Sequence, residues 1–256
     1  MTPTARADGR ANFALRPIRI TPNFTAVPAG SVLIEMGMTT VLCTASIDEG
    51  VPRWLERERP GHGWVTAEFA MLPGATQPRA TREAALGRIG GRTMEIQRLI
   101  GRSLRAVTDL GALGPRTIVA DCDVLQADGG TRTAAITGAF VALALALDKV
   151  CAAGALTGVP LRDTVCAVSC GRVGGEVLLD LCRTEDVAAE VDMNIVMTGT
   201  GAFVELQGTG EEAVFTRDEI DGFLAAAAGA VSDLTRLQVR ALPAGGPVAA
   251  AFSRYL

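Results

Sequence analysis

The chain reads as an α+β protein built from two related halves. Three observations predict this. Short β-rich runs precede a long apolar helical run within the first 150 residues. A stretch of small residues containing Pro160 then interrupts the pattern at 152–162. Strands followed by a helix begin again after it, so the same design is used twice. The expected divisions are a first half at 8–151, a second half at 160–240 and a frayed tail at 241–256, which is rich in Pro, Gly and Ala.

In the first half, 30–36 and 39–47 are strands joined by the turn signal Gly37-Met38. Val41, Cys43, Ala45 and Ile47 alternate with more polar residues, as on a sheet with one packed face. A Pro- and charge-rich loop at 51–63 leads to a strand at 64–71. The segment 72–91 carries Pro, Gly, Thr and Arg and reads as a mobile loop. Helix 92–107 has an apolar stripe of Ile96, Leu99, Ile100, Leu104 and Val107, with Glu95, Arg98, Arg102 and Arg105 on another face. A strand at 117–126 and an apolar helix at 133–150 complete this half. In the second half, 165–173 and 176–182 form a hairpin across Gly174-Gly175, and 194–198 and 202–206 are further strands. A helix at 216–240 opens with Thr216 and Glu219 in capping-box spacing.

The chain has 256 residues, 48% of them hydrophobic, enough to bury roughly 70–75% of the unfolded surface without a disulfide or metal staple. The apolar run 138–147 is about half of the ~20 residues that span a bilayer, so no membrane partner is expected. The first residues lack the apolar stretch of a signal peptide, which makes the cytoplasm the expected compartment. The six cysteines form no CxxC pair, and the lone His62 has no second ligand nearby, which argues against zinc and against a Ser/His/Asp triad. The net charge of −4 disfavours a generic nucleic-acid binder, yet arginine concentrates between 79 and 132 and acid between 176 and 192. That distribution suits phosphates gripped in one place and a metal in another; it is also what an arginine-rich composition produces by itself.

Three segments carry chemistry. In the first, a strand runs into Gly129-Gly130, then Thr131-Arg132, then a helix. Glycines let the backbone approach an anion, the helix start offers unpaired N–H groups, and arginine supplies a planar fork for phosphate oxygens. An ordinary turn has the same pattern. In the second, Gly91-Arg92-Thr93 places another arginine at a helix start, which proposes a two-arginine phosphate clamp. In the third, Asp180 lies in a strand with apolar neighbours on both faces and requires a compensating cation, with Asp186 six residues on. Carboxylates without Cys or His favour Mg²⁺ or Mn²⁺, and a salt bridge to arginine is the competing reading.

The segments GRTMEIQRLIGRSLRAV (91–107), DCDVLQADGGTRTAAITGAF (121–140), AEVDMNIVMTG (189–199) and FVELQGTGEEAVF (203–215) resemble bacterial ribonuclease PH, over about 8–240 in uninterrupted order. The resemblance implies a fold of two βαβα-type halves and a homohexameric ring, a trimer of dimers. It implies a phosphate-dependent 3′→5′ exoribonuclease, a tRNA nucleotidyltransferase, that trims tRNA precursors with inorganic phosphate as co-substrate. Carried over by position, Arg92, Gly130, Thr131 and Arg132 match the phosphate-binding residues, and Asp180 and Asp186 the catalytic, metal-binding carboxylates. Arg79 and Arg82 match the tRNA-contacting loop, although Gly74 stands where the family usually has a further arginine. A catalytically silent RNA-binding ring subunit of exosome type is the rival, and such subunits tend to lose the arginines or carboxylates retained here. A small-molecule kinase would need an ATP phosphate loop that the sequence lacks.

Overall fold

Two sheets form the protein, in a computed structural model that describes residues 6, 8–211 and 213–256. Buried and half-buried residues alternate along the central strands of the first, while the central strands of the second are buried on both faces. The first half contains β1 (Ile18–Pro22), β2 (Gly30–Met36), β3 (Thr39–Glu49), α1 (Arg53–Glu58), β4 (Trp64–Met71), α2 (Gly91–Val107), α3 (Leu110–Leu113), β5 (Arg116–Gln126) and α4 (Thr131–Ala152). Its five strands run in the order β1-β2-β3-β5-β4. All neighbours are antiparallel except β4 and β5, whose parallel pairing follows from the α2 crossover between them. The second half contains β6 (Val165–Val173), β7 (Glu176–Leu179), α5 (Arg183–Val187), β8 (Val191–Thr198), β9 (Phe203–Gly210), α6 (Arg217–Arg240) and α7 (Pro247–Ala251). Its sheet is antiparallel throughout, in the order β7-β6-β8-β9.

One core serves both halves. Every residue of α4 from Thr133 to Asp148 is buried, because the helix packs against β2 and β3 on one side and β6 on the other. A helix apolar all round has no solvent face to offer, which is why its sequence shows no amphipathic stripe. It is long and apolar enough to cross a membrane, and 83% of its most apolar window is buried inside the protein. Gly138 permits the close approach: a Cβ there would lie 2.7 Å from Ile34 Cγ2 and 2.8 Å from Cys43 Sγ. The α2 stripe is buried as expected. Its polar face is engaged rather than merely solvated: Arg105 stacks over Trp64 at 4.5 Å, and Arg102 pairs with Glu205 of β9 at 2.8 Å.

The structure departs from the expected elements in several places. Strand β1 and the short helices α1, α3 and α5 lie where no element was expected. The strand expected at 176–182 ends at Leu179, and Asp180 adopts the left-handed region at φ +55°. The expected frayed tail is folded back instead. Phe252 is 1% exposed and lies 6.3 Å from Phe140 of α4, and the Val248 amide donates to Asp148 Oδ1 at 2.9 Å. The Tyr255 hydroxyl donates to Asp163. A composition of small residues does not fray when a single aromatic anchor finds a cavity in the core.

Phe252→Ala is accordingly expected to cost about 3–5 kcal/mol of stability, the range for a fully buried aromatic, seen as a lower urea midpoint. A loss below about 0.5 kcal/mol, the range for ordinary surface substitutions, would return the tail to a frayed state.

Candidate active site

The strand-to-helix turn at the start of α4 lies on the floor of a cleft of about 610 Å³ between the two halves. Gly129 and Gly130 have φ values of +73° and +64°, a left-handed pair that only glycine adopts without strain. Space is equally restrictive at Gly129, where a Cβ would lie 2.6 Å from the Leu181 carbonyl. The first intrahelical bond of α4 is Ala134 N–H to Gly130 O, so the amides of Thr131 and Arg132, both on the cleft lining, precede it and are available to an anion.

Arg132 is half-buried beside this turn. Its Nη1 donates to Gln207 Oε1 at 2.9 Å and lies 3.6 Å from Glu95 Oε1. Among the described residues Nε and Nη2 have no hydrogen-bond acceptor, so both can reach a phosphate. Arg92 is exposed near the start of α2 and lines the same cleft. The two arginines, Gly130 and Thr131 that the sequence singles out therefore converge. Arg79 and Arg82 lie apart from the cleft lining, exposed on the segment between β4 and α2.

The carboxylates separate. Asp186 on α5 is exposed and lines the cleft. Asp180 does not line it: the residue is 0% exposed, and Arg16 grips its carboxylate. Arg16 donates from its backbone N to Oδ2 at 2.7 Å, from Nε to Oδ2 at 3.0 Å and from Nη2 to Oδ1 at 2.7 Å. The expectation that Asp180 pairs with Asp186 around a metal is corrected accordingly; the competing salt-bridge reading matches the geometry. The physical reason is that a buried carboxylate needs a compensating cation, and the N-terminal segment supplies one covalently attached to the chain.

Asp192, which the sequence reading did not single out, takes the place opposite Asp186. It lines the cleft from β8, beside Asn194, whose Nδ2 donates to Asp192 Oδ2 at 3.3 Å. Asp192 Oδ1 is buried without a partner among the described residues. Burial, reinforced by the Asp186 charge and opposed by Arg132, pushes its pKa up to about 6. The only available signal was an acid between apolar Val191 and Met193, just ahead of the strand expected at 194–198. Gln207 was equally hidden; it reaches Arg132 because β9 pairs with β8 in the register Asn194↔Gln207.

The model for the 3′ exoribonuclease family, domain 1, matches residues 14–147, and that for domain 2 matches residues 163–230. The chain therefore belongs to the 3′ exoribonuclease family. Within it, the chain is 60% identical over 243 residues to "Ribonuclease PH" of Mycolicibacterium smegmatis, covering 94% of this chain and 93% of that one. It is 59% identical over 244 residues to the protein of the same name from Saccharopolyspora erythraea, covering 95% and 96%. In fold it is similar to rice Rrp46, with a TM-score of 0.74 at 22% identity over 91% of this chain and 98% of that chain. A chain of the Archaeoglobus fulgidus exosome with RNA bound to its active site gives a TM-score of 0.76 at 22% identity, covering 90% and 91%.

The raised pKa of Asp192 has a stability consequence. The folded protein prefers the protonated form, so the cost of the ionised carboxylate is absent below about pH 4, grows between about pH 4 and pH 6 and is constant above. In metal-free buffer, Asp192→Asn is expected to stabilise the protein at pH 8 by about 2 kcal/mol and to leave the melting temperature unchanged near pH 4. An equal gain at both pH values would show that the charge is not the cause.

Proposed function

We propose that this cleft carries out the phosphorolysis of RNA 3′ ends that the resemblance to ribonuclease PH implies, with tRNA precursors as the substrate. The observation that carries the reading is the convergence of Arg92, Arg132 and the α4 N-terminus on one cleft that also contains Asp186 and Asp192. Two arginines and a helix N-terminus are an anion site, and inorganic phosphate is the anion the reaction requires. An oxygen of hydrogen phosphate forms a bond to the terminal phosphorus while the bond from that phosphorus to the preceding 3′-oxygen breaks. A nucleoside diphosphate leaves, and the proton that the phosphate carried balances the one gained by the new 3′-hydroxyl. The chain's own contribution is to align the phosphate with the scissile bond and to offset the charge of two phosphoryl groups brought together.

A divalent cation fits beside the phosphate, because the unpartnered Oδ1 of Asp192 and the exposed carboxylate of Asp186 are hard oxygen donors. These two residues would hold Mg²⁺ or Mn²⁺, and Asp180 would not. When bound, the ion supplies charge neutralisation on the transferred phosphoryl group and the departing oxygen. Among the described residues no cluster of three or more His, Cys, Asp or Glu residues forms a closed metal site. Phosphate oxygens and water would complete the shell, as Mg²⁺ prefers.

The exposed arginines Arg79 and Arg82 would lie along tRNA, on a cytoplasmic enzyme assembled as a six-membered ring. Exposed Phe24 and Val27, in the loop between β1 and β2, are apolar surface that a ring contact would cover. The silent ring-subunit reading is less favoured, since both phosphate arginines and two cleft carboxylates are retained.

Arg132→Ala is expected to lower kcat/KM by roughly 30- to 1000-fold, equivalent to about 2–4 kcal/mol of lost contact to the nucleophile. RNA shortening that yields nucleoside diphosphates and requires phosphate is the direct assay, and a near-normal rate at low phosphate would sink the assignment.

The loop is testable through salt. Open space surrounds Gly74, so an arginine fits there. Gly74→Arg is expected to tighten tRNA binding and steepen the slope of log K against log salt by about 0.7–0.9, while Arg79→Ala does the opposite. Turnover at saturating RNA should stay unchanged in both. Unaltered slopes would mean that the loop does not touch RNA.

A further inference from the structure

The anion turn has a rear wall. Its carbonyl groups, which would repel a phosphate if they faced the cleft, are held from behind by two buried side chains. Arg16 Nη1 donates to Asp128 O at 2.6 Å, and Thr39 Oγ1 donates to Gly129 O at 2.6 Å. Thr39 Oγ1 also accepts from the Asp128 amide at 2.8 Å, so this fully buried hydroxyl clamps the turn through two bonds. The Arg16 guanidinium covers Gly130 closely enough that a Cβ there would lie 2.9 Å from Nη2.

Arg16 is 4% exposed, and a guanidinium so buried is stable only with its donors matched. Asp180 matches them. Burial disfavours the Arg16 charge, but the hydrogen bonds and charge of Asp180 more than offset this, and its pKa lies above the ordinary value. Asp180 is itself locked by its own backbone: its amide donates to Ser169 O at 2.6 Å, and Arg6 Nη2 donates to its carbonyl at 3.1 Å. The chain of contacts runs from the second half, through Asp180 and Arg16, to the carbonyl that precedes the two glycines. Aspartate is among the residues that tolerate the left-handed backbone needed at 180.

We infer that Asp180, through Arg16, and Thr39 are positioning residues for inorganic phosphate: they pin the Asp128 and Gly129 carbonyls away from the cleft so that the N–H groups at the start of α4 face the anion. The inference rests on the phosphorolytic reading, and it assigns Asp180 a role other than metal ligand. A lysine at 16 cannot serve both Asp180 oxygens and the Asp128 carbonyl at once. A valine at 39 keeps the shape and loses both bonds, whereas serine keeps them.

The test measures KM for phosphate and kcat in the full-length enzyme for Arg16→Lys, Asp180→Asn, Thr39→Val and Thr39→Ser. Phe252→Ala, remote from the cleft, serves as a control for lost stability. The expected result is a KM for phosphate raised at least tenfold in the first three, with kcat at saturating phosphate within about threefold. Thr39→Ser should restore the wild-type KM, and Phe252→Ala should leave it unchanged at a comparable loss of melting temperature. Titration with Mn²⁺ alone, followed by electron paramagnetic resonance, should give the same dissociation constant for Asp180→Asn as for wild type.

Thr39→Val carries the test if the Arg16 or Asp180 variants do not fold. A normal KM in Thr39→Val, or one raised equally in Phe252→Ala, would overturn the inference. So would an Asp180→Asn protein with normal phosphate KM and weakened Mn²⁺ binding. Failure of the phosphorolytic reading itself appears separately, as wild-type RNA shortening that does not depend on phosphate.

Discussion

The burial of α4 along almost its whole length is the constraint on which the site depends. Both sheets need this helix to cover an apolar face, so it cannot shift toward one without exposing the other. Its first turn consequently holds a fixed place between the halves. That end carries Gly130, Thr131 and Arg132, and the second half presents Asp186 and Asp192 to the same cleft. An anion site on a rigid core helix is better defined than one on a mobile loop, which suits a reaction in which catalysis is largely alignment. The folded-back tail packs elsewhere on the same helix, where Phe252 meets Phe140, and lines no part of the cleft.

Arginine fills three different positions around this helix, and environment distinguishes them. Arg79 and Arg82 are exposed and suited to a screened, salt-sensitive grip. Arg92 and Arg132 border the cleft, and Arg132 keeps Nε and Nη2 without an acceptor among the described residues. Arg6 and Arg16 are buried, and their donors are taken by Glu185, Asp180 and backbone carbonyls. The carboxylates divide in parallel. Asp180 is buried and paired, Asp186 is exposed, and Asp192 is half-buried with one oxygen unpaired among the described residues. A chain with a single histidine and no nucleophilic constellation thus obtains distinct roles from two residue types by solvation alone.

Local chemistry explains what was legible before folding. Gly129-Gly130 ahead of Thr131-Arg132 encodes a left-handed turn into a helix, the alternation of 39–47 encodes a half-buried strand, and Thr216 with Glu219 encodes a capping box. Each is a relation among residues a few positions apart, and each stands in the structure. The family motifs extend this reach, because they preserve in order the residues that one cleft later assembles.

Long-range pairing was not written in any local pattern. Asp180 reads as a lone acid in an apolar strand, and only the fold brings Arg16, 164 residues earlier, against both its oxygens. Asp192 reads as one more acid ahead of the strand expected at 194–198 until the fold brings it to the cleft with its Oδ1 buried and, among the described residues, without a partner. The tail reads as frayed until the core offers Phe252 a place. The sequence by itself determined the elements, the anion-binding turn and the residue types available for chemistry, because these follow from backbone preference and spacing. Tertiary structure alone decided which charges are buried with partners and which are left facing the cleft, because desolvation depends on everything that surrounds a group, however distant in the chain.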